Sequence, residues 1–167
     1  MKRSRSDIER LIAELESDSA DLKLVADENA RAWERIVHGA DDQLDWAAVG
    51  YTIHNVYGVM ESYCLRVAKF FENSLDPATW HRDLLHRMTL EVHSVRPALL
   101  SRDSFLLIDE LRSFRHVFRN LYARPLDPER TSLVQKKVSP AIEVFLGAHV
   151  AFLEKLSALA SAIEHQN

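Results

Sequence analysis

Apolar side chains recur along the 167-residue chain at intervals of three, four and seven. That is the pattern of helices with one buried stripe, and no segment alternates as a strand would. The first stripe runs Ile8, Leu11, Leu15, Leu22, Val25, Ala32 and Ile36. Ser6-Asp7-Ile8-Glu9 reads as the capping box that opens it, and Gly39 as its stop. A polar turn from Ala40 to Gln43 follows, and Asp45 is the predicted N-cap of a second helix carrying Val49, Ile53, Val56, Met60, Tyr63, Val67 and Phe70, ending near Asn73. Asp76-Pro77 sets a carboxylate ahead of a first-turn proline and opens a shorter helix around Trp80 to Leu90. Arg96-Pro97 interrupts the chain before Ser101, after which Leu107, Leu111, Phe114, Phe118 and Leu121 mark a fourth helix predicted to end before Pro125. Asp127-Pro128 opens the last segment, which runs to about Glu164 with Val138, Ile142, Phe145, Phe152, Leu156, Leu159 and Ile163 inward. Pro140 is expected to kink or divide it. The pattern predicts an all-α, up-and-down bundle of about five helices, in keeping with a chain that has only four glycines.

Composition narrows the reading. With 47% hydrophobic residues, residues 1–167 are long enough for one domain with a sizeable core. The formal charge of −4 excludes a polycation that coats nucleic acid, so any polyanion must bind a local patch. The single cysteine, Cys64, lies in an apolar helical stretch, which suits a reducing compartment. MKRSRSDIER lacks the apolar core of a signal peptide, and no run approaches the ~18 apolar residues of a membrane span. A cytoplasmic protein with no membrane contact is expected.

One segment reverses the charge. Leu111 to Arg124 contains Arg112, Arg115, Arg119 and Arg124 and no Asp or Glu. On a helix, Arg115 lies beside the buried face set by Phe114 and Phe118, on nearly one line with Tyr122, with Arg119 slightly further round, while His116 and Asn120 form a second line across the polar surface. Arg115 and Asn120 diverge by roughly 140°. They converge on one small phosphate only if the helix unwinds near Asn120, or if a second copy of the chain lines the same cleft. From spacing alone, arginines on the polar face of an amphipathic helix also read as a solvated surface.

RHVFRNLY, from Arg115 to Tyr122, resembles the R-x4-H-x-Y signature of the HEPN ribonuclease-toxin family, in its HepT-like branch. Position 120 is Asn where the family has His. The Asp76-Pro77-x-x-Trp80-His81-Arg82-Asp83-Leu84-Leu85 stretch, the Arg96-Pro97 break and Leu126-Asp127 follow the same pattern in order, so the resemblance covers roughly residues 46 to 159. It implies a HEPN-like bundle that dimerises, forms a composite RNA-cleaving cleft between subunits, uses neither metal nor other cofactor, and is paired with a minimal nucleotidyltransferase antitoxin. Arg115 then holds the phosphate, since a guanidinium binds phosphate oxygens bidentately and stays charged. Arg112, His116, Arg119 and Arg124 would bind RNA around it. Tyr122 matches the tyrosine to which the partner enzyme attaches AMP, and a phosphodiester there would fill the groove with negative charge.

Asn120 stands where proton transfer needs an imidazole, and an amide has no usable pKa, so a poor ribonuclease is expected. Asn120 fits a family member drifted toward binding as well as a substitution that makes a toxic protein producible. The alternative function is a non-catalytic helical dimer that binds RNA, nucleotide or a protein through the same arginine groove.

The remaining polar residues carry weaker signals. His54, Tyr57 and Glu61 share one face of the second helix and either border the cleft or form a satisfied polar patch. His149 reads as a core histidine with a local hydrogen bond, and Trp80-His81 as an anchor for the short helix. Glu34 and His38 are four apart and Glu91 and His93 two, so the Glu-x-x-His pairing of di-iron bundles is missing and no metal site is expected.

Overall fold

The computed structural model describes residues 4–72, 80–93, 95–121 and 124–164, apart from the side chains of Trp80, His81, Arg82 and Glu164. Five helices carry the chain: α1 (Arg5–Val37), α2 (Gln43–Phe71), α3 (Trp80–Met88), α4 (Arg102–Arg119) and α5 (Pro128–Glu164). The bundle is all-α, as the periodicity predicts. Among the described residues, the pairing of Val92 with Arg96 is an isolated bridge in a tight turn and belongs to no strand.

Helix α2 is the centre of the bundle and touches each of the other four. Its sequence explains why: Val49, Ile53, Val56, Met60, Tyr63 and Val67 are buried on the predicted stripe, and Tyr57, Cys64, Ala68 and Phe71 bury further faces. Long α1 and α5 flank it and pack on each other, and α4 closes the remaining side against α2 and α5. In α5 the buried residues Val138, Phe145, Phe152 and Leu156 lie on the predicted stripe.

Local chemistry moves several predicted boundaries. α1 starts earlier than Ser6: Ser4 is the N-cap, its hydroxyl accepting from the Asp7 amide while the Asp7 carboxylate accepts from the Ser4 amide. Glu9, expected in the capping box, instead pairs with Arg5 at 2.7 Å. The stop at Gly39 holds: with φ at 97°, the Gly39 amide donates to Ile36 and the Ala40 amide to Arg35, which satisfies the last carbonyls of α1. At α2 the cap is Asp42, whose carboxylate accepts from the Leu44 amide at 2.8 Å, and Asp45 pairs with Arg35 at 2.8 Å. Asn73, Asp76 and Pro77 lie outside the described residues. Helix α5 continues through Pro140 as one element. Pro140 and Lys136 are both exposed, so water can take the carbonyl that the missing N–H leaves.

The end of α4 matters most. It stops at Arg119, well before Pro125, because Asn120 caps it: the Asn120 amide donates to Val117 and its side chain donates to the His116 carbonyl at 2.7 Å. The line from Arg115 to Tyr122 that an unbroken helix would give is therefore cut at Arg119.

A polar knot inside the bundle ties three helices together. Asn29 of α1 donates to Thr52 of α2 and to Gln135 of α5, both at 2.9 Å, and Gln135 donates back to Asn29 at 2.7 Å. All three residues are buried. Asn29→Ala leaves the Gln135 amide without its partner in a dry site, and is expected to cost about 2 to 3 kcal/mol of stability in urea unfolding.

Candidate functional site

Gly50 starts the site by having no side chain. A Cβ there would lie 3.0 Å from the Phe118 ring and collide with Leu126, so this glycine lets the end of α4 and the loop after it rest directly on α2. Phe118 then meets His54 edge-to-face at 5.6 Å and stacks on Phe114 at 6.2 Å. Those contacts fix the rotation of α4. Arg115, one turn before Phe118, is thereby aimed at α2.

There it meets the face shared by His54, Tyr57 and Glu61. The Arg115 guanidinium donates to the Glu61 carboxylate at 3.0 Å and lies over the Tyr57 ring at 5.7 Å. The pair is largely dry, with side-chain exposures of 19% for Arg115 and 10% for Glu61. Burial and the Glu61 carboxylate push the Tyr57 phenol well above its usual range, so it stays protonated. Three buried polar atoms here lack hydrogen-bond partners: Arg115 Nε, His54 Nδ1 and the Tyr57 hydroxyl. His54 is held below the ordinary imidazole value of 6.5, first by burial and then by Arg115 and Arg119, against the pull of Glu61.

His54, Glu61 and Arg115 open on a groove of about 580 Å³ whose far wall is Asp18 and Asp21 of α1. Asp18 is engaged by Arg66, which grips it at 2.8 and 3.1 Å and reaches Glu14 at 3.2 Å. This Arg66 clamp was not expected from the sequence. Its signal, a basic residue one turn after the Glu61 to Ser62 face, was present but ordinary.

Of the arginines named from the sequence, Arg115 is the one that lines this groove. Arg112 is half-buried and tied to Asp109. His116, Arg119, Asn120 and Arg124 are exposed, and Asn120 is turned back on its own helix. Asn120 and Arg115 thus face different ways within one chain. Tyr122 lies outside the described residues. His149 is buried, as expected, but its hydrogen bond is to Tyr63 of α2 at 2.9 Å rather than to a local group. Among the described residues, no three metal-binding side chains come together and no helix is long and apolar enough to cross a membrane.

The family model described as HepT-like protein matches residues 48–156, from the first turns of α2 to the last part of α5 and across Arg115, Asn120 and Tyr122. The chain belongs to this HepT-like family of HEPN proteins, whose members are generally toxin-type components of toxin–antitoxin systems. No curated protein and no solved structure matches the chain.

Proposed function

We propose that the protein is the toxin of a HEPN-type toxin–antitoxin pair, a metal-independent endoribonuclease that acts at a dimer cleft around Arg115 and is weakened by Asn120. The observation that carries this reading is the partly buried Arg115 guanidinium, held over Tyr57 and lining a groove beside the His54 imidazole. A guanidinium facing such a groove is the group that matches phosphate oxygens bidentately. Exposed Arg119 and Arg124 carry positive charge unmatched among the described residues at the end of α4, where an RNA backbone would run, with Arg112 and His116 as further proposed contacts. Exposed Leu106 and Val117 on the outer face of α4, and Leu133 on α5, favour a second copy of the chain as the partner that completes the cleft. Tyr122 is the residue on which a nucleotidyltransferase antitoxin would place AMP.

A second reading, a dimer that binds RNA, nucleotide or protein without cutting, is favoured by Asn120 itself and by the hold of Glu61 on Arg115. Labelled single-stranded RNA separates the two. In chelator it should bind, more weakly as salt rises, and Arg115→Ala should weaken binding about tenfold or more, as expected for losing a charged hydrogen bond. Intact RNA after binding supports the second reading, and the absence of binding removes both.

A further inference from the structure

We propose that His54 is the general base of this groove, its imidazole taking the 2′-hydroxyl proton of a ribose whose 3′-phosphate sits on Arg115. This rests on the reading of the groove as an RNA-cleaving site, and it goes beyond that reading by assigning the proton transfer to α2 rather than to position 120. The motif position cannot supply it. Asn120 has no titrating nitrogen, and its side chain is committed to the His116 carbonyl.

Three observations converge on His54. It lines the same groove as Arg115, on the α2 face that also carries Tyr57 and Glu61. Its ring is held edge-on by Phe118, from the same turn of α4 that delivers Arg115, so one packing contact fixes both groups relative to each other. Its Nδ1 is buried and has no partner within the fold, which leaves Nε2 as the nitrogen that can face a substrate. A histidine with a purely structural part is ordinarily hydrogen-bonded, as His149 is to Tyr63 in the same bundle.

The charge around the ring suits a base. Arg115 and Arg119 from α4 and Arg66 from α2 oppose a further positive charge, while Glu61 on its own helix and Asp18 and Asp21 across the groove favour one. Asp18 is taken up by Arg66 and Glu61 by Arg115, so burial and the α4 arginines prevail. The ring is then neutral at pH 7 and free to accept a proton.

The step balances without a co-reactant. The 2′-oxygen forms a bond to phosphorus as its proton moves to His54, the bond from phosphorus to the 5′-oxygen breaks, and the departing oxygen takes a proton from water. His54 returns its proton to solvent. The products are a 2′,3′-cyclic phosphate and a 5′-hydroxyl, and Arg115 offsets the charge that builds on the phosphorane.

The test uses the full chain and labelled single-stranded RNA in chelator, comparing the protein as it stands with His54→Gln, His54→Ala and Asn120→His. The expected result is slow cleavage by the unaltered chain, with a 2′,3′-cyclic phosphate end. That cleavage should fall about 10²-fold or more in His54→Gln at unchanged RNA affinity. Its rate should decline as pH drops through a value below 6.5, a limb that His54→Gln lacks. Added imidazole should restore cleavage to His54→Ala, a rescue that a packing role for the ring would not allow. Cleavage by His54→Gln at the parent rate, or loss without imidazole rescue and with weakened RNA binding, overturns the assignment. So does an inert parent chain beside an active Asn120→His variant, an outcome that keeps the ribonuclease reading and discards His54. If neither the parent nor Asn120→His cuts RNA, the ribonuclease reading itself is wrong.

Discussion

Asn120→His is expected to raise RNA cleavage in chelator by about 10²- to 10⁴-fold, the usual contribution of one positioned acid or base, and to make expression of the protein inhibit growth. RHVFRNLY resembles the R-x4-H-x-Y signature at its other positions, and the family match spans residues 115 to 122. A histidine at this position adds a second proton-moving group, able to protonate the leaving oxygen while His54 removes the attacking proton. Position 120 is exposed at the C-terminal cap of α4, so the change disturbs no packing. Its cost is limited to the hydrogen bond from Asn120 to the His116 carbonyl, about 1 kcal/mol. The gain should vanish when Arg115→Ala is added, because proton transfer without charge stabilisation leaves the phosphorane unsupported. Gel assays of labelled RNA, read beside growth curves, check both arms. A variant that binds RNA and leaves it intact would show that the groove is built for binding.

The helices were legible because each carries a stripe that recurs every three or four residues, and the structure buries or half-buries those stripes. The helix ends were less so. Ser4, Asp42 and Asn120 are capping residues with close rivals in sequence, Ser6, Asp45 and the later Pro125, and only the hydrogen bonds each one makes decide between them. The polar knot had a signal that went unused. Ile8, Leu15, Leu22 and Ile36 stand seven apart, and the one polar residue in that series is Asn29, which bonds Thr52 and Gln135. A lone Asn in an apolar heptad series commonly fixes the register of its neighbours.

The site was half legible for a related reason. Spacing placed His54, Tyr57 and Glu61 on one face and Arg115 beside the buried face of its own helix. Which face of α2 meets α4 is a tertiary fact, however, and here it hangs on Gly50 admitting Phe118 and Leu126. An isolated helical wheel contains nothing about that contact. The roughly 140° between Arg115 and Asn120 left either a helix that unwinds near Asn120 or a second copy of the chain, and the resemblance implied the second copy. The structure adds a wall from within the same chain.

The ion pair between Arg115 and Glu61 complicates any test that removes Arg115, and its energetics can be predicted. Both groups are largely withdrawn from water, so truncating one leaves the other charged in a poorly solvated place, a loss of about 3 kcal/mol or more. Arg115→Ala and Glu61→Ala should each show a loss of that order in chemical unfolding. Arg115→Met combined with Glu61→Leu should come close to the parent, because apolar side chains of similar volume remove the desolvation cost along with the attraction. The double variant should therefore fall well short of the summed losses of the two single truncations, as expected for residues in direct contact. The double variant is also the control that activity measurements need: a chain as stable as the parent that has lost the guanidinium. If it folds like the parent and still cuts RNA as well as Asn120→His does when Asn120→His is present, Arg115 is a structural counter-ion to Glu61 and takes no part in cleavage. If it folds like the parent and cuts nothing, the loss belongs to chemistry, since stability has been held constant.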